Sequence, residues 1–223
     1  MPAEGLRVVL RSHKNALLAR EPRRLLLIHM KVLLTGATGA GQSSTVTPQP
    51  HAHKLLVYTA GLGILRTLLS DNAVSQVTYI GRRPLPSWIV LPGGTSTGDA
   101  SPAHPKLSTI EHKHFLTYPP ALQETIAQHD ACVWALGISA VGLSEEKYSE
   151  ITVGYLDAFL DVLKGKRLGT TERPFRVVFV SGLGADSEEK SRMLFARIKV
   201  RNYYVTLTRT HSFLCSRVVQ KTT

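Results

Sequence analysis

The chain has 223 residues, of which 43% are hydrophobic and 19% charged, and a formal net charge of +11. This composition suits about one folded domain and excludes a disordered chain. Two cysteines are too few for a disulfide framework, and the longest apolar run, 25–34, is far short of the roughly 20 residues of a membrane span, so a small secreted scaffold and a transmembrane protein are excluded.

The positive charge is concentrated in three segments. Residues 1–29, 41–59 and 200–223 carry nine of the eleven net positive charges, and the other 151 residues are nearly neutral. Nucleic-acid binding normally uses an organised basic face, so this distribution argues against specific nucleic-acid binding. The cysteine content favours a reducing, cytoplasmic location. A mitochondrial targeting role for the arginine-rich residues 1–29 is the alternative, which their two glutamates disfavour.

Between the basic segments, short apolar runs alternate with helical patterns. Strands are predicted at 31–35, 76–80, 107–112, 131–136 and 176–180, and helices at 61–69, 120–128, after Ser144, and 188–199. Residues 84–105 are rich in Pro, Gly and Ser and are predicted to be a solvated loop. Apolar strands separated by helices predict an α/β fold with a doubly wound parallel sheet, Rossmann-type, over residues 30–199.

The first predicted strand leads into the glycine-rich sequence Gly36-Ala-Thr-Gly39. A dinucleotide site needs a strand, a tight glycine turn and a helix N-terminus aimed at the phosphates. The third glycine is expected at position 42, where the chain has Gln42. Removing residues 41–59 places Gly61 three residues after Gly39, directly before the predicted helix. The sequence therefore predicts a phosphate turn interrupted by an insertion, formed by Gly36, Thr38, Gly39 and Gly61.

With the insertion removed, the chain resembles the atypical short-chain dehydrogenase/reductase family, and it is similar to the Tat-interacting, oxidoreductase-like group of NADPH-binding proteins. The resemblance extends from Lys31 to Lys199. Other matching pieces are Tyr79-Ile-Gly-Arg-Arg83, Ala135-Leu-Gly137 and Val180-Ser-Gly-Leu-Gly-Ala-Asp186. It implies an NAD(P)-binding Rossmann domain that is truncated at its C-terminal end, with Gly137 beside the nicotinamide.

Arg82 and Arg83 follow the second predicted strand. An acidic residue at this place binds the ribose hydroxyls of NAD, whereas arginine suits the 2′-phosphate of NADP, which a guanidinium group can bind through two hydrogen bonds. A solvated basic pair is the alternative interpretation. In this order of elements the pair favours NADP(H) as the cofactor.

The resemblance also implies a catalytic set after the fifth strand. In the family, a serine or threonine orients the carbonyl, a tyrosine acts as acid, and a lysine four residues later lowers the tyrosine pKa and holds the ribose. Ser181 and Lys199 match, but Phe195 stands in the tyrosine position and has no proton to give. The prediction is an oxidoreductase with a degraded catalytic set and no metal site. The alternative is a non-catalytic regulatory or interaction protein that binds NADPH. Its small-molecule substrate or protein partner is not specified.

The three basic segments have a further interpretation as translated non-coding sequence. The codons at both ends of 41–59, and those for 199–201, can contain splice signals, and Met30 would be a natural start. In that case 200–223 is a non-native basic tail, and the chain is an inactive product of a mis-spliced gene. An insertion at 41–59 is expected to leave the sheet folded, because loop closure cost grows slowly with length, but to displace the helix N-terminus from the phosphates.

Overall fold

The computed structural model describes residues 29–38, 60–95, 100–167, 175–181, 190–209 and 214–219. Six strands form one sheet in the order β3-β2-β1-β4-β5-β6, and every neighbouring pair is parallel. The strands are β1 Met30–Thr35, β2 Val74–Gly81, β3 Leu107–Glu111, β4 Ala131–Trp134, β5 Arg176–Ser181 and β6 Leu214–Val219. The helices are α1 Ala60–Ser70, α2 Pro120–Ala127, α3 Glu145–Ser149, α4 Tyr155–Arg167 and α5 Leu194–Arg209, with a π-helical turn at Glu150–Gly154.

This strand order confirms the predicted doubly wound Rossmann-type sheet. The chain runs from β1 outward to β3, then crosses back to place β4 on the other side of β1. The direction of winding therefore reverses between β1 and β4, and ligands of open α/β sheets bind outside the carboxyl ends of the strands at such a point.

Two apolar clusters cover the two faces of the sheet, as the unalternating strands predict. On one face, α1 packs on β1 and β2 through Leu62, Leu65 and Leu69. On the other, α2 and α4 surround an aromatic cluster that includes Trp134 and Phe159, whose ring centroids lie 5.2 Å apart. Both faces are therefore buried, which leaves the strand ends as the places where polar groups can meet a ligand.

The predicted helix after Ser144 is present and is capped as expected. The Ser144 side chain accepts a hydrogen bond from the backbone N–H of Lys147 at 3.2 Å, and two glutamates occupy the first turn. The helix does not stay regular, because a π-helical turn separates α3 from α4. Such turns insert one extra residue and are frequent at functional sites.

The sequence predicts a solvated loop after β2. The loop is present, but the prediction that it is solvated is wrong for its first part. Residues 84–94 are irregular, but Leu85, Ile89 and Leu91 are buried in the same cluster as α1. The Arg66 side chain in α1 also donates a hydrogen bond to the Val90 carbonyl at 3.0 Å. Three apolar side chains at this spacing attach the loop to the helix, so the loop is part of the core.

The C-terminal elements extend beyond the predicted domain boundary at 199. The helix predicted from 188 begins at Leu194 and continues to Arg209. Residues Leu214–Val219 then add β6 to the edge of β5. The basic segment 200–223 thus contributes secondary structure to the sheet; its origin as non-coding sequence stays a prediction. Residues 1–28 of the predicted leader 1–29, and all of the predicted insertion 41–59, lie outside the described residues.

Candidate functional site

The carboxyl ends of the parallel strands meet at one edge of the sheet. Thr35 at the end of β1 is in register with Ile80 in β2 and with Trp134 at the end of β4. Ser181 ends β5. The residues that the sequence selects as candidate site residues follow these strand ends or lie in the helices after them, so one edge holds the candidate site.

The first part of the site is the turn directly after β1. Gly36 has a φ of +75°, a conformation that residues with a side chain rarely adopt. A Cβ atom at Gly36 would lie 2.3 Å from the carbonyl oxygen of Ala135, which follows β4. Ala135 also donates its backbone N–H to the Thr35 carbonyl at 3.2 Å. The turn after β1 is therefore packed directly against the chain leaving β4, and only glycine fits at position 36.

The second part is the N-terminus of α1, and it touches the first. A Cβ atom at Gly61 would lie 2.2 Å from the carbonyl oxygen of Gly36 and 2.8 Å from the Cα of Ala37. The two glycines are separated by 24 residues of sequence, yet their backbones are in contact. The expected displacement of the helix N-terminus is therefore wrong.

The α1 N-terminus can receive an anion. Its first turn contains no acidic residue, and the first backbone N–H groups of a helix have no partner within the helix. Together with the helix dipole, these groups favour a negative ligand at the turn. Thr38 lies in the same turn, and Gly39, the remaining predicted member, is outside the described residues.

The third part follows β2. Arg82 and Arg83 are both exposed and come directly after Gly81, the last residue of the strand. A further residue of this part, Tyr79, was not predicted from the sequence and lies two residues before Gly81. Its ring is 2% exposed, and its hydroxyl lies 3.5 Å from the Thr38 hydroxyl. The sequence does contain a pattern that indicates this position for the ring. Tyr79 and Gly81 lie on the same face of the strand, and a ring can cover the space that a glycine leaves empty.

Gly137 and Ser181 occupy the ends of the next two strands. Gly137 lies three residues after β4, partly buried, and a Cβ atom there would meet no atom within 4 Å. The protein itself therefore does not require glycine at this position, in contrast to Gly36. Ser181 is the last residue of β5, at the strand end where the prediction placed it.

Lys199 lies in α5, four residues after Phe195, so the two side chains share one side of the helix. The lysine side chain is partly buried, and this burial lowers the pKa of its ammonium group. Among the described residues, no ion pair or hydrogen bond reaches Lys199. Burial of an ammonium group is costly for folding unless a counter-charge pairs with it, and groups with a shifted pKa cluster at functional sites.

Replacing this lysine is expected to stabilise the fold. Burial disfavours the charged form of Lys199, so Lys199→Met should raise the melting temperature by on the order of 2 °C. The cost is full below the pKa in the folded state and disappears as the pH rises to the ordinary value of 10.5, so the difference should shrink in alkaline buffer. Thermal unfolding from pH 7 to pH 10.5 measures both, with Lys113→Met at an exposed position as control. A less stable Lys199→Met variant would show that the lysine is held by favourable contacts instead.

Comparison with known proteins identifies the fold. No family model matches the chain, and no curated protein matches it. Several solved structures, however, are similar to the chain. The PhqB reductase domain from Penicillium fellutanum superposes with a TM-score of 0.56 at 16% identity, covering 84% of this chain and 47% of that one. The UDP-glucuronic acid 4-epimerase from Bacillus cereus, in complex with NAD, gives a TM-score of 0.53 at 15% identity, covering 85% and 54%. The chain has a Rossmann fold.

A third structure agrees with this assignment. The Bordetella bronchiseptica enzyme WbmH, in complex with NAD⁺, matches with a TM-score of 0.50 at 14% identity, covering 85% of this chain and 55% of that one. This Rossmann chain thus spans about half the length of the proteins it matches. Within its described part, no helix is long and apolar enough to cross a membrane, and no cluster of three metal-ligating side chains occurs.

Proposed function

We propose that the chain binds NADPH at the carboxyl edge of its sheet, as a Rossmann protein of the atypical short-chain dehydrogenase/reductase type. The observation that carries this proposal is the contact between Gly36 and Gly61. It assembles a strand, a tight turn and a helix N-terminus from two distant pieces of sequence. Rossmann folds bind the pyrophosphate of a dinucleotide at this combination. The same proposal includes the resemblance to the Tat-interacting, oxidoreductase-like proteins within that family.

The turn supplies the contacts for the pyrophosphate. The backbone N–H groups at the start of α1 would bind the phosphate oxygens, and the small residues of the turn let the backbone approach them. Thr38 adds a hydroxyl at the same place. Gly39 is the fourth proposed member of this group.

Arg82 and Arg83 favour NADPH over NADH. Both are exposed at the end of β2, where the ribose of the adenosine half lies in Rossmann folds, and neither has an acidic neighbour in the sequence Gly81–Pro84. Two guanidinium groups would bind the two negative charges of a 2′-phosphate. The similar structures from Bacillus cereus and Bordetella bronchiseptica contain NAD, so cofactor preference is where this chain is proposed to differ.

Three residues are assigned to the reaction itself. Bound NADPH would supply a hydride beside Gly137, and Ser181 at the end of β5 would orient an acceptor carbonyl. Lys199 would hold a ribose hydroxyl through its partly buried ammonium group. Phe195 provides no proton, so carbonyl reduction would lack its usual acid.

This gap favours a second candidate function, a regulatory or interaction protein that uses NADPH as a ligand without turning it over. NADPH oxidation in the presence of a panel of carbonyl compounds separates the two functions. Oxidation that persists above a Lys199→Ala control supports the oxidoreductase. Binding without oxidation supports the regulatory protein.

Replacing both arginines tests the cofactor assignment. We expect the chain to bind NADPH more tightly than NADH, and Arg82→Gln with Arg83→Gln to weaken NADPH binding by about 10- to 100-fold, because charge-assisted hydrogen bonds to the 2′-phosphate are lost. NADH affinity should change by less than about twofold, since NADH lacks that phosphate. Fluorescence titration of the full chain with each nucleotide measures both affinities. Equal losses for the two nucleotides would contradict a 2′-phosphate site at these residues.

A further inference from the structure

A buried tyrosine connects the two halves of the proposed cofactor site. Tyr79 lies in β2 with 2% of its surface exposed, and its hydroxyl is 3.5 Å from the Thr38 hydroxyl in the turn after β1. The two residues are 41 positions apart in the sequence. The Tyr79 hydroxyl therefore lies where the end of β2 meets the turn after β1.

The direction of the ring is shown by the glycine that ends the strand. A Cβ atom at Gly81 would lie 2.0 Å from the Tyr79 hydroxyl oxygen and 2.3 Å from the ring carbon that bears it. The side chain thus lies along its own strand, toward the carboxyl edge of the sheet, over the space that Gly81 leaves free. This position directs the hydroxyl toward the candidate site instead of the centre of the core.

The same hydroxyl lies over Gly81, the residue directly before Arg82. Burial raises the pKa of the Tyr79 phenol, and both the Thr38 hydroxyl and the positive charge of Arg82 act in the opposite direction. Arg82 itself is exposed, so its guanidinium group can meet a ligand. One buried hydroxyl therefore contacts the phosphate turn and lies over the residue from which the arginine pair begins.

We propose that Tyr79 is a positioning residue that holds Arg82 at a fixed separation from Thr38, and that it thereby sets the preference for a nucleotide with a 2′-phosphate. The inference rests on the proposed function of NADPH binding and deepens it. The ribose of an adenine dinucleotide links the phosphates at the turn to the group bound after β2, so the distance between these two elements decides whether the 2′-phosphate meets the guanidinium group. The buried hydroxyl, through its contact with Thr38, fixes that distance without touching the ligand.

The experiment compares NADP⁺ with NAD⁺, which differ only in the 2′-phosphate, by calorimetric titration of the full chain. Tyr79→Phe keeps the ring in the core and removes the hydroxyl. We expect it to weaken NADP⁺ binding by about five- to tenfold, the effect of one lost hydrogen bond, and to leave NAD⁺ binding within about twofold. Tyr118→Phe is the matched control, because it removes another buried hydroxyl from the cluster on the opposite face of the sheet. It should change neither affinity.

A double variant tests whether Tyr79 acts through Arg82. If it does, Tyr79→Phe combined with Arg82→Gln should bind NADP⁺ no more weakly than Arg82→Gln alone, since the hydroxyl has nothing left to position. A merely structural role would lower melting temperature without this non-additivity. Additive losses would overturn the proposal.

Each remaining outcome has one meaning. Unchanged affinities in Tyr79→Phe, or equal losses for NADP⁺ and NAD⁺, overturn the role of Tyr79 and leave the proposed function intact. Failure of the unaltered chain to bind either nucleotide overturns the proposed function together with the inference. If Tyr79→Phe does not fold, Thr38→Val removes the same contact from the other side and should lower the NADP⁺ preference. Thr38→Ser keeps a hydroxyl and should retain it.

Discussion

Replacing Gly61 with alanine is expected to destabilise the chain by about 2 kcal/mol or more and to weaken NADPH binding at least tenfold. The added methyl carbon would lie 2.2 Å from the Gly36 carbonyl oxygen, a distance that real contacts do not reach. Because the obstructing atom belongs to the backbone, α1 must move away from β1, and overpacking of this kind costs about 1–3 kcal/mol or more. The shift would also separate the helix N-terminus from the phosphate turn.

Gly63 provides a matched control two residues later in the same helix. A Cβ atom at Gly63 meets nothing within 4 Å, and the residue is exposed. Gly63→Ala should therefore stabilise the chain by about 0.5–1 kcal/mol, because alanine is the better helix former. Chemical denaturation and NADPH titration of both variants measure the difference. Similar stabilities for Gly61→Ala and Gly63→Ala would contradict the contact between the two glycines.

Deleting residues 41–59 is expected to strengthen the fold and to leave NADPH binding intact. The deletion reduces the number of residues between Gly36 and Gly61 from 24 to 5 and restores a continuous Gly-x-x-Gly-x-x-Gly sequence. Closing the shorter connection costs less chain entropy, by roughly 1–1.5 kcal/mol. The contact between the glycines is already present in the full chain, so the deletion should preserve it.

The deletion also tests the interpretation of 41–59 as translated non-coding sequence. A more stable variant that still binds NADPH would support that interpretation, since the fold would then be better without the segment. A variant that unfolds, or that binds NADPH more weakly, would show that residues 41–59 are part of the working protein. A deletion of equal length is not possible elsewhere in the turn, so the full chain itself is the reference.

The sequence predicted the strands and the order of elements because buried parallel strands are short, apolar and separated by helical patterns. The glycine turn could also be predicted, since Gly36 and Gly61 fall into the right spacing once 41–59 is removed. What the spacing did not show is that the insertion leaves the two glycines in contact. Packing of α1 on β1, through residues such as Leu62 and Leu65, determines that contact, and it depends on the whole sheet.

Other features could not be predicted because they depend on distant partners. The composition of 84–94 is typical of a solvated loop, but three of its apolar side chains are buried against α1. The helical pattern of α5 weakens after Lys199, although the helix continues to Arg209 and leads into β6. The link between Tyr79 and Thr38 joins residues 41 positions apart, and no local pattern predicts it.

The central claim is that a dinucleotide phosphate binds to a turn built from two separate parts of the chain. Amide hydrogen exchange with and without NADPH tests this most directly, because ligand contacts slow exchange at the N–H groups they cover. We predict slower exchange in two peptides together, 33–38 and 60–66, and protection of 79–83 by NADPH but not by NADH. Protection of 33–38 without 60–66, or unchanged exchange in both peptides at saturating NADPH, would contradict the claim.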